Sequence, residues 1–211
     1  MERIKVKICG LTNLDDALAA VEAGADAVGF LFYRKSPRYI DPHTAGAIVK
    51  ALPPFVLPVG VFVNESVERV RDTLDACGLA MAQLHGDESS AYCEQVGRPL
   101  LKALRVKDRV SALAVAEYQG RAGVRGFVLD ACSDHAYGGT GTLADWSLAA
   151  EIATTCRILL AGGLTPENVA DAITAVRPYG VDVSSGVESS PGKKDHARLR
   201  AFVQAARLVS V

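Results

Sequence analysis

Apolar and polar positions along the chain follow two periods, and the two periods take turns. Ile4-Lys5-Val6-Lys7-Ile8-Cys9 alternates every second residue and reads as a strand. Gly10-Leu11-Thr12-Asn13 then turns the chain. Thr12 or Asn13 can cap a helix over Leu14 to Ala23, which stops at Gly24. The couplet then recurs. Further strands are predicted over Asp26 to Phe32, Val56 to Val63, Ala80 to His85, Leu100 to Val106, Phe127 to Asp130, Arg157 to Ala161 and Gly180 to Val183. Helices are predicted over Pro42 to Leu52, Ser66 to Cys77, Ser89 to Val96, Arg109 to Glu117, Trp146 to Ala153, Pro166 to Val176 (capped by Thr165) and Asp195 to Leu208.

Eight strand–helix couplets joined by short connections imply parallel strands with helices outside. In one domain over residues 1–211 they predict a closed (β/α)8 TIM barrel, near the short end of its ~200 to 400 residue range. A doubly wound open sheet would more often show five or six units and a G-x-G-x-x-G turn after strand one. Gly10-Leu11-Thr12 is not that turn.

Composition narrows the partners more than the fold. The 211 residues are 49% hydrophobic and 22% charged, with a formal net charge of -1. That balance gives no electrostatic reason to expect nucleic acid or an anionic membrane, so an anionic ligand has to be held locally. No run of apolar residues is long enough to span a bilayer, and the amino terminus lacks a signal-peptide apolar core. Cys9, Cys77, Cys93, Cys132 and Cys156 are scattered, odd in number and without a C-x-x-C pair. That pattern fits reduced thiols in a cytoplasm rather than a disulfide framework or a zinc site. Apolar helix faces could bury a dimer contact, yet short barrels also exist alone; monomer and homodimer both stay open.

Barrel geometry decides which side chains meet. Period-two alternation points Lys5, Lys7 and Cys9 inward. A buried lysine needs a partner, and Asp182 on strand eight neighbours strand one only if the barrel closes. A Lys7–Asp182 ion pair is therefore expected, and it tests closure. Sites in this fold sit at the carboxyl ends of the strands, where the sequence places Cys9, Asn64, His85, Asp130, Gly162-Gly163 and Ser184-Ser185-Gly186. Taken singly, each has an ordinary reading: a small buried thiol, a turn amide, a satisfied imidazole, a capping carboxylate, turn residues.

Together they suggest chemistry. Gly162-Gly163 and Ser184-Ser185-Gly186 follow strands seven and eight, where barrels commonly bind phosphate through backbone N–H groups. Cys9 and Asp130 come from strands far apart around the rim and can face each other across the mouth. A thiolate accepts a proton and a carboxylic acid donates one. At pH 7 only about 3% of a free Cys is thiolate and about 0.1% of a free Asp is protonated. The mouth would have to lower the first, for instance through Lys7, and raise the second by desolvation. Such a pair suits moving a proton within a sugar carbon skeleton. Asp130 is followed by a glycine-rich loop, Gly138-Gly139-Thr140-Gly141. No His/Asp/Glu cluster has metal spacing, so neither a metal nor another cofactor is expected.

These stretches resemble phosphoribosylanthranilate isomerases of tryptophan biosynthesis. The resemblance runs through Lys7-Ile8-Cys9-Gly10-Leu11-Thr12, Gly24-Ala25-Asp26-Ala27-Val28-Gly29-Phe30, Ser36-Pro37-Arg38-Tyr39-Ile40, Val59-Gly60-Val61-Phe62-Val63-Asn64 and Gln83-Leu84-His85-Gly86. It continues through the glycine-rich loop, Leu160-Ala161-Gly162-Gly163-Leu164 with Pro166-Glu167-Asn168-Val169, and Asp182-Val183-Ser184-Ser185-Gly186-Val187-Glu188 with Pro191-Gly192-Lys193-Lys194-Asp195. It implies an Amadori rearrangement of N-(5'-phosphoribosyl)anthranilate, a small phosphosugar, to its 1-deoxyribulose ketose. Cys9 stands at the family's general-base position and Asp130 at its general-acid position. Arg38 matches the basic residue for the anthranilate carboxylate; read alone, it belongs to a solvated basic loop with Arg34 and Lys35. Gly162, Gly163, Asp182, Ser184, Ser185 and Gly186 complete the implied substrate-binding set. The loop Tyr137 to Thr142 would close over the sugar. Ala144 departs from the large aromatic residue expected there.

Three other readings remain at this stage. A related barrel isomerase of histidine biosynthesis is expected to use two aspartates, against which Cys9 argues. A Schiff-base aldolase could use Lys102 on strand five, otherwise an ordinary lysine of the barrel interior. A phosphate-binding barrel without turnover would have no need of Cys9 and Asp130 together.

Overall fold

The structure is a computed structural model and describes residues 3–105, 108–130 and 146–209. The loop Tyr137 to Thr142, Ala144 and Cys132 lie outside the described residues. Strands β1 (Lys5–Cys9), β2 (Ala27–Leu31), β3 (Leu57–Phe62), β4 (Met81–Leu84), β5 (Leu100–Arg105), β6 (Val124–Asp130), β7 (Ile158–Ala161) and β8 (Gly180–Val183) pair in sequence order into a closed barrel. Helices α1 (Leu14–Glu22), α2 (Pro42–Ala51), α3 (Val67–Cys77), α4 (Ser90–Val96), α5 (Arg109–Tyr118), α6 (Trp146–Ala153), α7 (Val169–Val176) and α8 (His196–Leu208) alternate with them. Among the described residues, no helix is long and apolar enough to cross a membrane.

Local chemistry explains most of the element ends. Asn13, rather than Thr12, caps α1, its side chain accepting from the Asp16 amide. Ser66 and Ser89 do the same for α3 and α4, and both helices end on a left-handed glycine, Gly78 and Gly97. One start differs from expectation. Thr165 caps as expected, accepting from the Glu167 amide at 3.3 Å while the Asn168 side chain accepts from the Thr165 amide at 2.8 Å, but the regular part of α7 begins only at Val169. Pro166-Glu167-Asn168 forms a turn that the helix-like composition hid.

Closure is explicit in the register. β1 runs parallel to β8 with Lys5 opposite Gly180, Lys7 opposite Asp182 and Ile8 opposite Val183. The main core lies between barrel and helices, built from residues such as Val6, Ile8, Phe30, Leu84, Leu129, Leu160 and Val181, all fully buried. Burial of each large member contributes about 1.5–3 kcal/mol. A smaller apolar cluster of Ala103, Val128, Leu159 and Ala161 fills the barrel interior on the β5–β7 side.

That cluster corrects one expectation. Leu101 packs against it and Ala103 belongs to it, so alternation turns Lys102 outward, toward the helices. There its Nζ meets Glu88 Oε2 at 2.8 Å, both side chains 1% exposed, and donates to the Leu84 and Gly86 carbonyls. Lys102 is buried but not in the barrel interior, and its ammonium is held by the end of β4 and the loop that follows it.

One element has no counterpart in the expected couplets. After a 3₁₀ turn at Ser185–Val187, strands β9 (Glu188–Ser190) and β10 (Lys193–Lys194) form a small antiparallel hairpin before α8. Pro191-Gly192 makes its turn, with Gly192 at φ 81°, the proline–glycine chemistry of a type II turn. Thr12 donates to the Gly192 carbonyl at 2.6 Å and fastens the hairpin across the start of the chain.

Candidate active site

The carboxyl ends of the strands assemble an uneven rim, polar on one side. Lys7 reaches both Asp182 oxygens at 2.9 Å, with 2% and 7% of the two side chains exposed. The ammonium also lies near the Cys9 sulfur and interacts with it electrostatically. Burial alone would lower the Lys7 pKa, but Asp182 and the sulfur outweigh it and hold the group charged. Gly29 of the neighbouring strand makes this contact possible: a Cβ there would stand 2.8 Å from the Cys9 sulfur and 3.3 Å from Lys7 Cε.

Cys9 itself is buried, and burial pushes its thiol up, with Lys7 and Lys194 pulling the other way and Asp182 adding to the rise. The expected net lowering by Lys7 is not found; the lysine moderates the effect of burial without reversing it. Asp130 ends β6, opposite Arg105 on β5 and Ala161 on β7, half-buried at the same rim. His85 follows β4, its Nδ1 2.9 Å from Gln83 Nε2. With Gln83 as donor, the ring proton sits on Nε2. Burial pushes the imidazole pKa down, while Asp130 and Asp182 draw it up. Asn64, by contrast, is not drawn in. Its side chain accepts from the Asp87 amide at 2.7 Å and serves the adjoining loop.

The loops after β7 and β8 approach backbone to backbone. A Cβ on Gly186 would lie 1.8 Å from the Leu164 carbonyl oxygen, so only glycine fits. Asn168 holds the Gly163 carbonyl at 3.0 Å and Arg198 holds that of Gly186 at 3.1 Å, fixing both turns. Beside Gly10, the Ser184 hydroxyl is buried without a hydrogen-bond partner. A buried polar atom left unpaired is costly, and this one, just past the end of β8, is a donor that an acceptor-rich ligand could use.

Arg38 reaches this region from the loop before α2. A Cβ on Gly10 would lie 2.7 Å from Arg38 Cδ and 2.8 Å from Ser184 Oγ, which places the arginine and the serine side by side. Its guanidinium is not solvated as the sequence alone suggested: Nε and Nη2 grip Glu188 at 2.8 and 2.7 Å. The Nη1 edge lies outside that fork. Glu188 and Lys194 are the site neighbours that sequence reasoning missed. The turn signal Pro191-Gly192 between them was available to bring the two together.

A closed parallel barrel with a buried thiol, a carboxylate and two closely packed glycine turns at the carboxyl ends of its strands defines a (β/α)8-barrel enzyme. Residues 6–205 match the family model for N-(5'phosphoribosyl)anthranilate (PRA) isomerase. The chain belongs to that family and is an isomerase. The N-(5'-phosphoribosyl)anthranilate isomerase of Pelobacter propionicus is 52% identical over 97% of this chain and 96% of its own. A phosphoribosyl anthranilate isomerase crystal structure, in complex with reduced 1-(o-carboxyphenylamino)-1-deoxyribulose 5-phosphate, matches with TM-score 0.87 and 44% identity over 98% of this chain and all of that one. Monomers generated from the dimeric enzyme of Thermotoga maritima match with TM-score 0.86 and 43% identity, over 98% of this chain and all of that one.

Proposed function

We propose that the chain catalyses the Amadori rearrangement of N-(5'-phosphoribosyl)anthranilate to 1-(2-carboxyphenylamino)-1-deoxyribulose 5-phosphate in L-tryptophan biosynthesis, with Asp130 as general acid and Cys9 as general base. The observation that carries this reading is a thiol and a carboxylate ending β1 and β6 on one rim, the thiol beside a buried ammonium. Asp130 delivers its proton to the furanose ring oxygen as the C1'–O bond breaks, and the anilino nitrogen's lone pair forms the Schiff base. Cys9, as thiolate, takes the proton from C2'; the C–H electrons form the enolamine, which tautomerises to the ketone. Lys7 beside the sulfur favours the thiolate during that step.

The cradle of Gly162, Gly163, Ser184, Ser185 and Gly186 takes the phosphate, with the unpaired Ser184 hydroxyl as a donor. The Nη1 edge of Arg38 takes the anthranilate carboxylate, while Glu188 fixes the plane of the guanidinium. Asp182 serves the substrate set indirectly, through Lys7. Four unpaired thiols among the described residues support a reducing compartment, the cytoplasm.

The test follows the loss of anthranilate fluorescence with enzymatically generated substrate, comparing wild type with Cys9→Ser and Asp130→Asn. The expected result is rapid loss by wild type, near-complete inactivity of Asp130→Asn and a severely slowed Cys9→Ser. Turnover surviving in both variants discards the acid–base assignment. Binding without turnover by folded wild type discards the reaction.

A homodimer is proposed in addition, on the dimeric T. maritima relative and on Phe55, 97% exposed at the amino-terminal end of the barrel beside the part-exposed Leu57. Light scattering that gives a one-subunit mass for wild type at micromolar concentration removes it.

A further inference from the structure

Lys194 is a buried cation with no free donor. Its Nζ gives one hydrogen bond to the Cys9 carbonyl at 2.7 Å, one to the Ser184 carbonyl at 3.1 Å and one to Glu188 Oε1 at 3.0 Å. An ammonium has three N–H groups, so all are spent inside the protein. None remains for a substrate. Its three acceptors nevertheless belong to three parts of the site: the residue carrying the thiol, the turn carrying the orphaned hydroxyl, and the carboxylate that orients Arg38.

The lysine is itself anchored from behind. Its backbone amide donates to Asp16 Oδ2 at 2.8 Å, and Asp16 in turn meets His196 Nε2 at 2.7 Å and the Asn13 side chain at 2.9 Å. Thr12 secures the adjoining Gly192. The β9–β10 hairpin thus acts as a strap. It reaches back from strand eight and joins the ends of β1 and β8 to the Arg38 loop through one side chain.

We propose that Lys194 is a positioning residue for the reaction, setting the Cys9 sulfur, the Ser184 cradle and the Arg38 fork in mutual register and biasing the Cys9 thiol toward its thiolate. The proposal deepens the reading given under Proposed function and rests on it for the substrate. A structural latch alone explains the burial poorly. A buried charge contributes little net stability compared with a well-packed apolar side chain, and an apolar side chain could close a hairpin. What the ammonium adds is directional bonding to three site elements and a positive charge near the thiol. The charges that act on Cys9 are Lys7 on its own strand, Asp182 on β8, Lys194 on β10 and Arg38 from the loop before α2, the last two sharing Glu188. Loss of Lys194 removes one cation from that set, so the thiol pKa must rise.

The experiment uses two readouts on the full chain. The first is the pH dependence of Cys9 alkylation by iodoacetamide, followed by peptide mass spectrometry, which needs no substrate. The second is kcat and KM for N-(5'-phosphoribosyl)anthranilate. For Lys194→Met we expect the Cys9 titration to move to higher pH, KM to rise, and kcat to fall by about tenfold or more, the class of loss a small misplacement of catalytic groups produces. Lys194→Arg, which keeps the charge, restores the titration. A folded Lys194→Met whose Cys9 titration and kinetic constants match wild type overturns the proposal, even if its melting temperature falls. If Lys194→Met does not fold, Glu188→Gln tests the same link: its Cys9 titration should move to lower pH and its KM rise, and absence of both changes overturns the proposal. A wild type that shows the Cys9 titration but no turnover refutes the substrate assignment, while the alkylation result still decides the role of Lys194.

Discussion

Lys7 and Asp182 meet at 2.9 Å across the seam where the last barrel strand pairs with the first. The pair is buried, so it stabilises the fold less than its distance suggests, and breaking one half is far costlier than replacing both. Lys7→Met alone should destabilise the protein by about 3–5 kcal/mol, because it leaves a buried carboxylate uncompensated. The double variant Lys7→Met with Asp182→Leu should recover most of that loss in a urea titration and remain nearly inactive. Recovery of turnover along with stability would make the pair a closure device with no part in the site.

The Ser184 hydroxyl gives a prediction of opposite signs. Ser184→Ala removes a buried polar atom that has no partner, so stability should hold or rise by roughly 1 kcal/mol. The same change removes a donor from the proposed phosphate cradle, so KM for the phosphosugar should increase several-fold with kcat less affected. Thermal melts and steady-state kinetics on one preparation check both signs. A destabilised Ser184→Ala with unaltered KM would assign the hydroxyl to the fold instead.

The barrel and its seam were legible because they rest on period and position. Eight alternating segments required parallel pairing, and an inward Lys7 required a partner that only a closed barrel supplies. The rim residues Cys9 and Asp130 followed from strand ends. What stayed hidden depended on contacts distant in sequence or on small differences in local energy. Nothing local to Arg38 signals that Glu188, 150 residues away, takes up its fork. Lys102 was placed on the wrong side of its strand because an apolar stretch buried on both faces carries no alternation to fix its register. The regular part of α7 starts at Val169, a turn after the Thr165 cap, a boundary that composition alone does not set.

The direction of the Cys9 shift fixes the pH dependence of the reaction. Burial pushes the thiol up, and the nearby lysines only moderate it. As the proposed base, Cys9 works deprotonated, so kcat/KM should climb as pH rises toward an apparent pKa at or above the ordinary thiol range, and fall away below it. Replacing Cys9 by Asp should move the rising limb to lower pH, because a carboxyl ionises several units below a thiol. A pH–rate profile for the two proteins tests this. A rising limb at the same pH in both would mean that another group sets it.

Asp26 predicts how the fold itself fails in acid. It lies at the amino-terminal end of the barrel, where it accepts from the Val6 amide at 2.8 Å, from Arg3 at 2.8 Å and from Arg207 of α8 at 2.6 Å. Arg207 also donates to the Ile4 and Gly24 carbonyls, so one carboxylate ties β1, the start of β2 and the last helix together. Burial alone would raise its pKa, but the Val6 amide and the two arginines outweigh it and hold it below its ordinary value near 3.8. A carboxyl depressed in the folded state contributes stability that is fully present above its unfolded pKa and is lost as pH falls through the folded one. For Asp26 that window lies below about 3.8, so the contribution is intact at neutral pH. Asp26→Asn should therefore cost about 1.5–3 kcal/mol at pH 7, the range for hydrogen bonds to a charged group. The gap from wild type should narrow on acidification through that window. Urea midpoints at pH 7, 4 and 3 give the comparison; a gap that stays constant with pH would show that Asp26 contributes by shape and neutral hydrogen bonding rather than by its charge.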